Sequence, residues 1–280
     1  MRPFHPEDFV REKLAGRVRR VFNDSAAGEA PVVRSANAHF PADSVIWRVH
    51  GDVTSMMAGG VAALLLEMLH PLALAGVLGH STFRTDMLGR LRRTARFIAV
   101  TTYGDRADAD AAIARVRAIH ERVNGTLPDG RTYAASDPHL LAWIHVAGAL
   151  SFLAGYVRYV EPDMSLADAD RYFAEAALTA RGLGAVAVPV TLAEARDLLD
   201  TYRPELVATR DTHEVAALIL DDGRDPARAL LGTAAIDLLP GWACAMLRLQ
   251  GRARMGRPAR LATTVMARGL RWAFAKPATS

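Results

Sequence analysis

Residues 53–77, VTSMMAGGVAALLLEMLHPLALAGV, form the most apolar stretch of the chain, and their reading decides the fold. A membrane-spanning helix needs about 20 apolar residues with few or no charges. Here Glu67, His70 and Pro71 interrupt the run. Proline has no amide hydrogen and its ring clashes with the turn before it, so a helix does not pass smoothly through Pro71. The stretch therefore predicts a buried core helix over Thr54–Leu69 and a second apolar helix over Leu72–Leu78.

Composition supplies the surroundings such a helix requires. Of 280 residues, 51% are hydrophobic and 23% charged, which suits a folded chain with a large core. Apolar residues recur at helical spacing nearly everywhere, and no alternating run is long enough to argue for a sheet. Upstream, Pro6–Phe22 reads as an opening helix, 26–42 as loop, and Asp43-Ser44 as the cap of a short helix through Trp47. Downstream, Asp86 opens an arginine-rich helix that Gly104 stops after Tyr103. Ala112, Val116, Ile119 and Val123 line one face of a helix over Asp108–Val123, which Asn124-Gly125 ends. Asp137-Pro138 pairs an N-cap with a first-turn proline and opens a long helix from His139 to about Val160. Ser165 with Asp168 opens another through Arg181. Further helices are expected over 191–202, 211–220, 225–238 and 242–249. From residue 252 a basic amphipathic tail follows, able to lie on an anionic membrane surface. With no repeat and no linker between two cores, the expectation is an all-α, single-domain multi-helix bundle over residues 1–280.

Several functions drop out early. The net charge is only +4 and no basic stripe carries interleaved aromatics, which argues against nucleic acid. Cys244 is the one cysteine, so neither an intrachain disulfide nor a thiolate cluster can form. Met1–Val10 is charged throughout and does not read as a secretory signal, so a cytoplasmic location is expected. Gly59-Gly60 lacks the spacing and lysine of a phosphate loop, and no His-Glu-x-x-His pair occurs. Ser55, Ser81 and Ser151 lack the glycines of a nucleophile elbow.

What remains is histidine, arginine and one glutamate in apolar settings. His120 sits at the edge of the face made by Val116, Ile119 and Val123. It is either a core histidine or an imidazole aimed into an apolar slot, which is what a haem iron asks of its ligand. His145, after Trp143 in an apolar helix, is its rival. Arg90, Arg93 and Thr94 stand at i, i+3 and i+4 and share one helix face. They solvate that face, or they line a cavity where a charge and a hydroxyl can meet an anionic group or dioxygen. Glu67 lies three residues before His70, and a buried carboxylate needs a partner or a proton. It is a structural pair or a general acid or base. His80-Ser81 lies between helices, where it can cap or line a pocket, while His5, His39, His50 and His213 read as surface or loop residues.

The ordered string of segments resembles a known family. It runs through Gly59-Gly60, Ala63-Leu64-Leu65-Leu66, His70-Pro71, Gly76-Val77 and His80-Ser81, then Asp86, Gly89-Arg90-Leu91, Arg93-Thr94 and Thr102-Tyr103-Gly104. His120, Val123, Gly125, Gly130, Tyr133, Asp137-Pro138, Leu140-Leu141 and Trp143-Ile144-His145 follow. The order is similar to that of the oxygenases grouping the mycophenolic-acid pathway enzyme MpaB with the latex-clearing protein, the rubber oxygenase catalytic domain. It covers about residues 40–240.

That resemblance implies a helical, globin-like core around haem b and oxidative cleavage of an isoprenoid double bond with dioxygen, hence a small apolar substrate. It implies His120 as the proximal ligand, which follows an Arg-x-x-Lys-Thr helix by one helix and a loop in the latex-clearing relatives. Arg90 and Thr94 match that helix, and Arg93 stands where the lysine able to occupy the distal iron position would be. Arginine stays protonated and cannot offer iron a neutral nitrogen. Met87 stands where many relatives have proline. Three other readings stay open: a haem-binding sensor without turnover, a non-haem metal enzyme using Glu67, His70, His80 or His120, and a helical interaction protein with a membrane-binding tail.

Overall fold

The computed structural model describes residues 30–80, 86–221, 223, 225–253 and 264. Its helices begin where a short polar side chain can satisfy a backbone amide that the helix itself cannot. After the short α1 (Val45–His50), Asp52 caps α2 (Val53–Glu67) by accepting from the Ser55 amide. Helix α3 (Pro71–His80) follows after a bend of 105°. Asp86 caps α4 (Met87–Tyr103) through the Gly89 amide, and Asp105 caps α5 (Arg106–His120) through that of Ala107. A hairpin of β1 (Asn124–Thr126) and β2 (Thr132–Ala134) separates these from α6 (Pro138–Tyr159), whose cap is Asp137. Ser165 caps α7 (Leu166–Leu183), which Gly184 closes with a left-handed φ of +107°. Thr191 caps α8 (Leu192–Thr201), and a Thr209–Thr212 capping box opens α9 (Arg210–Ile219). Helices α10 (Pro226–Leu238), α11 (Gly241–Met246) and α12 (Gln250–Ala253) complete the described chain.

The molecule is organised around α2 and α6, which pack closely enough to need glycine on both. A β-carbon on Gly59 would lie 2.8 Å from the Ser151 carbonyl oxygen, and one on Gly155 would lie 2.7 Å from that of Ser55. The contacts climb one helix as they descend the other, so the pair is antiparallel. Around it, Val49, Leu65, Trp143, Val146, Phe173 and Tyr202 are fully buried in one core. The 22 residues of α6 are long and apolar enough to cross a membrane, but most of that length is buried against neighbouring helices.

The reading of 53–77 as two helices holds, and the break has a clear cause. The amides of Leu69 and His70 turn back to the carbonyls of Leu66 and Glu67, and Pro71 starts the next helix at its favoured first position. Val207 holds the elbow by donating to the Leu69 carbonyl.

Three expectations need correction. Helix α5 stops at His120, not Val123, and Asn124-Gly125 lies in a strand. Three-residue strands are too short for alternation to register in the sequence. Gly125 pairs with Tyr133, and a β-carbon on Gly125 would fall 2.6 Å from the Tyr133 hydroxyl, so the glycine lets that ring cover the hairpin. Ser44 does occupy the N-cap of α1, but its hydroxyl is buried and makes no capping bond, and the helix runs on to His50. The expected opening helix over 6–22 lies outside the described residues, as does nearly all of the segment 252–280.

Candidate functional site

One face of α4, carrying Arg90, Thr94, Phe97, Ile98, Thr101 and Thr102, lines a cavity of about 490 Å³ that is partly open to solvent. Those residues return every three or four positions, the period of a helix stripe. At 1.5 Å per residue, Arg90 and Thr102 are about 18 Å apart along the helix axis, so the cavity is an elongated slot. Helix α6 follows the same slot with Leu141, Ile144, His145, Gly148 and Phe152. Helix α5 adds Val116, Ile119 and His120, and α7 adds Tyr172, Ala176 and Thr179. Most of this lining is apolar, and the polar groups gather toward the two ends.

The charged end holds Glu67, Arg90 and His120. Glu67 is the last residue of α2, placed there because the helix stops one residue later. Burial raises its carboxyl pKa to about 7, against the opposing pull of Arg90. Arg90 in turn is lowered by burial, which outweighs the supporting charge of Glu67, and Arg93 lowers it further. His120 closes α5 and is lowered by burial first and by the Arg90 charge second. Its Nδ1 is buried without a hydrogen-bond partner among the described residues.

His145 lines the same slot from α6. Burial, with a smaller contribution from Arg181, takes its pKa down to about 4. Its buried, unpartnered nitrogen is Nε2. Both imidazoles are therefore neutral at physiological pH, the state in which histidine can ligate a transition metal. Among the described residues no three His, Cys, Asp or Glu side chains converge as a metal-binding group.

Glu67, Arg90, Thr94, His120 and His145 thus meet in one cavity, although they come from four different helices. Arg93 does not join them. Its side chain is 63% exposed and its Nη1 lies 3.3 Å from Asp86 Oδ2, the cap of its own helix. The face shared on paper by Arg90, Arg93 and Thr94 is split because the cavity admits the i, i+4 pair and leaves i+3 at the solvent edge. Nor do Glu67 and His70 pair. The bend after Glu67 turns His70 away, to place its Nε2 3.3 Å from Glu205. His80 ends α3 at the exposed rim, with Nε2 committed to the Asn124 carbonyl at 3.0 Å and the Tyr133 hydroxyl at 3.1 Å.

The other end of the slot escaped the sequence reading. His50 is a cavity residue and not a surface one. Its Nδ1 lies 2.9 Å from Thr102 Oγ1 and its Nε2 3.2 Å from the Tyr172 hydroxyl. Burial takes its pKa down to about 3. A signal was present: His50 stands four residues after Ile46, which puts both on the inner side of α1.

The stretch from residue 47 to residue 272 matches the family model described as ER-bound oxygenase mpaB/B′/Rubber oxygenase, catalytic domain. The chain belongs to this oxygenase family. The matched region contains Glu67, Arg90, His120 and His145 at one side of the slot and His50, Thr102 and Tyr172 at the other. It ends inside the basic segment 252–280. The chain has no match among curated proteins or among solved structures. The family membership makes the protein an oxygenase.

Proposed function

We propose that this oxygenase uses haem b and dioxygen on an apolar, isoprenoid-like substrate, with His120 as the iron ligand. The observation that carries the proposal is a neutral imidazole in a largely apolar cavity, with no three-ligand cluster beside it among the described residues. A non-haem centre usually draws three or more ligands from protein, whereas the porphyrin brings four nitrogens and asks the protein for one or two. Bound haem would supply the activation of dioxygen.

The chain's own residues then take distinct tasks. His120 and His145 each carry a buried ring nitrogen with no hydrogen-bond partner among the described residues, Nδ1 in the first and Nε2 in the second, and His120 is the one that feels the Arg90 charge. Arg90 brings a permanent positive charge into a low-dielectric site, where it can hold a propionate or steady a developing negative charge. Thr94, one turn further along α4, lines the same space at its solvent-exposed edge. Glu67, with a pKa of about 7, can take up or release a proton near neutral pH. The apolar lining excludes water and accepts a hydrocarbon chain. Arg93, held by Asp86 at the surface, has no part in this assignment.

The test is an absorption spectrum of the full chain supplied with haemin. A Soret band at one haem per chain is expected, lost or shifted in His120→Ala and kept in His145→Ala. A folded chain that stays colourless overturns the cofactor assignment. Full, unshifted haem binding by His120→Ala moves the ligand elsewhere.

A further inference from the structure

The inner end of the slot has one more proton than its hydrogen bonds can use. His50, Thr102 and Tyr172 come from three helices and are joined by two hydrogen bonds, both through the imidazole. Thr102 and Tyr172 are each 1% exposed, and the His50 ring is held edge-on between the Phe152 and Tyr172 rings. A neutral imidazole carries one N–H, and each hydroxyl carries one O–H. Three donor protons therefore serve two bonds. If Nδ1 carries the proton, it donates to Thr102, Nε2 accepts from Tyr172, and the Thr102 hydroxyl keeps a free proton. If Nε2 carries it, the Tyr172 hydroxyl keeps one instead. Either tautomer leaves one hydroxyl donor on the cavity lining without a partner among the described residues. A buried donor left unpaired costs free energy, so the site favours whatever supplies an acceptor.

We propose that this end of the cavity donates one hydrogen bond to an uncharged oxygen, a carbonyl, ether or hydroxyl, carried at the inner end of an elongated apolar ligand. The proposal rests on the slot being the substrate site of the oxygenase, and it narrows the substrate from a plain hydrocarbon to an oxygen-bearing one. The charge of the acceptor follows from the surroundings. His50 is neutral, and the arginine of the cavity lining, Arg90, stands at the other end, about 18 Å along α4. An anionic head group would find its counter-charge there and not beside His50.

The experiment titrates the full chain, as purified and again after haemin loading, with dodecan-2-one, dodecane and dodecanoate. The ketone is expected to bind about tenfold more tightly than the alkane, the value of one neutral hydrogen bond to an otherwise unpaired donor. Its carbonyl stretch is expected to move to lower frequency on binding. Tyr172→Phe or Thr102→Val, whichever removes the free proton, abolishes both effects. Should either variant fail to fold by circular dichroism, the carbonyl shift in the unaltered chain decides. Equal affinity for ketone and alkane overturns the proposal, as does no ketone binding, an unchanged ratio in both variants, or a dodecanoate affinity that falls with either hydroxyl. A chain that refuses haemin yet prefers the ketone loses the cofactor assignment and keeps this one. The reverse pattern does the opposite.

Discussion

The indole nitrogen of Trp143 donates to the main-chain oxygen of Glu67 at 3.3 Å. This ties the last turn of α2 to the second turn of the apolar helix α6, at the point where α2 must stop and present its carboxylate. Trp143 is fully buried and packs against His70 and Tyr202. Trp143→Phe is expected to lower stability by roughly 1–3 kcal/mol through lost volume and the loss of one of two hydrogen bonds to the Glu67 carbonyl, the His70 amide keeping the other. The midpoint of urea unfolding checks it, and a change below about 0.5 kcal/mol would remove this bond from the account of how Glu67 is placed.

The adjacent glycines of α2 should behave in opposite ways. Gly59→Ala places a methyl 2.8 Å from the Ser151 carbonyl and 2.9 Å from the Phe152 Cα, both backbone atoms that cannot swing aside. It is expected to cost about 1–3 kcal/mol. At Gly60 the nearest atom is Phe152 Cε1 at 3.7 Å, ordinary contact distance, so Gly60→Ala should be neutral or stabilise by up to about 1 kcal/mol through helix propensity. Parallel thermal melts of the two variants decide the matter.

Two buried groups give stability opposite pH slopes. Glu67, raised from 4.5 to about 7, keeps its proton in the folded state while the unfolded chain has released it. Its contribution is fully present below 4.5 and declines as pH rises to 7, by on the order of 3 kcal/mol. His50, lowered from 6.5 to about 3, is neutral when folded while the unfolded chain takes up a proton below 6.5. Its contribution is complete above 6.5 and declines as pH falls toward 3. Between 4.5 and 6.5 the two oppose each other. Glu67→Gln should therefore steepen the acid loss of stability, and His50→Gln should expose the fall toward neutral pH. Denaturant midpoints from pH 4 to 8 report both slopes.

Arg90 and Arg93 separate cleanly. Arg93→Ala removes an exposed ion pair with Asp86 and is expected to change stability by less than about 1 kcal/mol, with haemin binding unaltered. Arg90→Ala takes away the charge that opposes the rise in the Glu67 pKa, so that pKa should climb above 7. A carboxyl infrared band followed against pH reads the shift directly. A Glu67 titration left in place would mean that the two side chains do not interact.

Local chemistry made much of the fold legible in the sequence. Asp86, Asp137 and Ser165 read as caps because a short oxygen-bearing side chain before an apolar repeat has a local job, which the structure shows each one doing. Pro71 marked the end of the apolar run for an equally local reason. Interactions across the chain were less visible. The hairpin at Gly125 and Tyr133 is too short to leave a pattern, and His50 looked exposed because its partners are 52 and 122 residues away.

By itself, then, the sequence determined the helices, most of their ends, and the set of Glu67, Arg90, Thr94, His120 and His145 from which a site could be drawn. Tertiary packing decided which of them share a space. The 105° elbow after Glu67 sent His70 to Glu205 and left the carboxylate in the slot. The angle at which α4 meets the cavity kept Arg90 and Thr94 and excluded Arg93. Helix periodicity fixes the direction of a side chain relative to its own axis, but the direction of that axis is set only when α2 and α6 close on their paired glycines and the other helices pack around them.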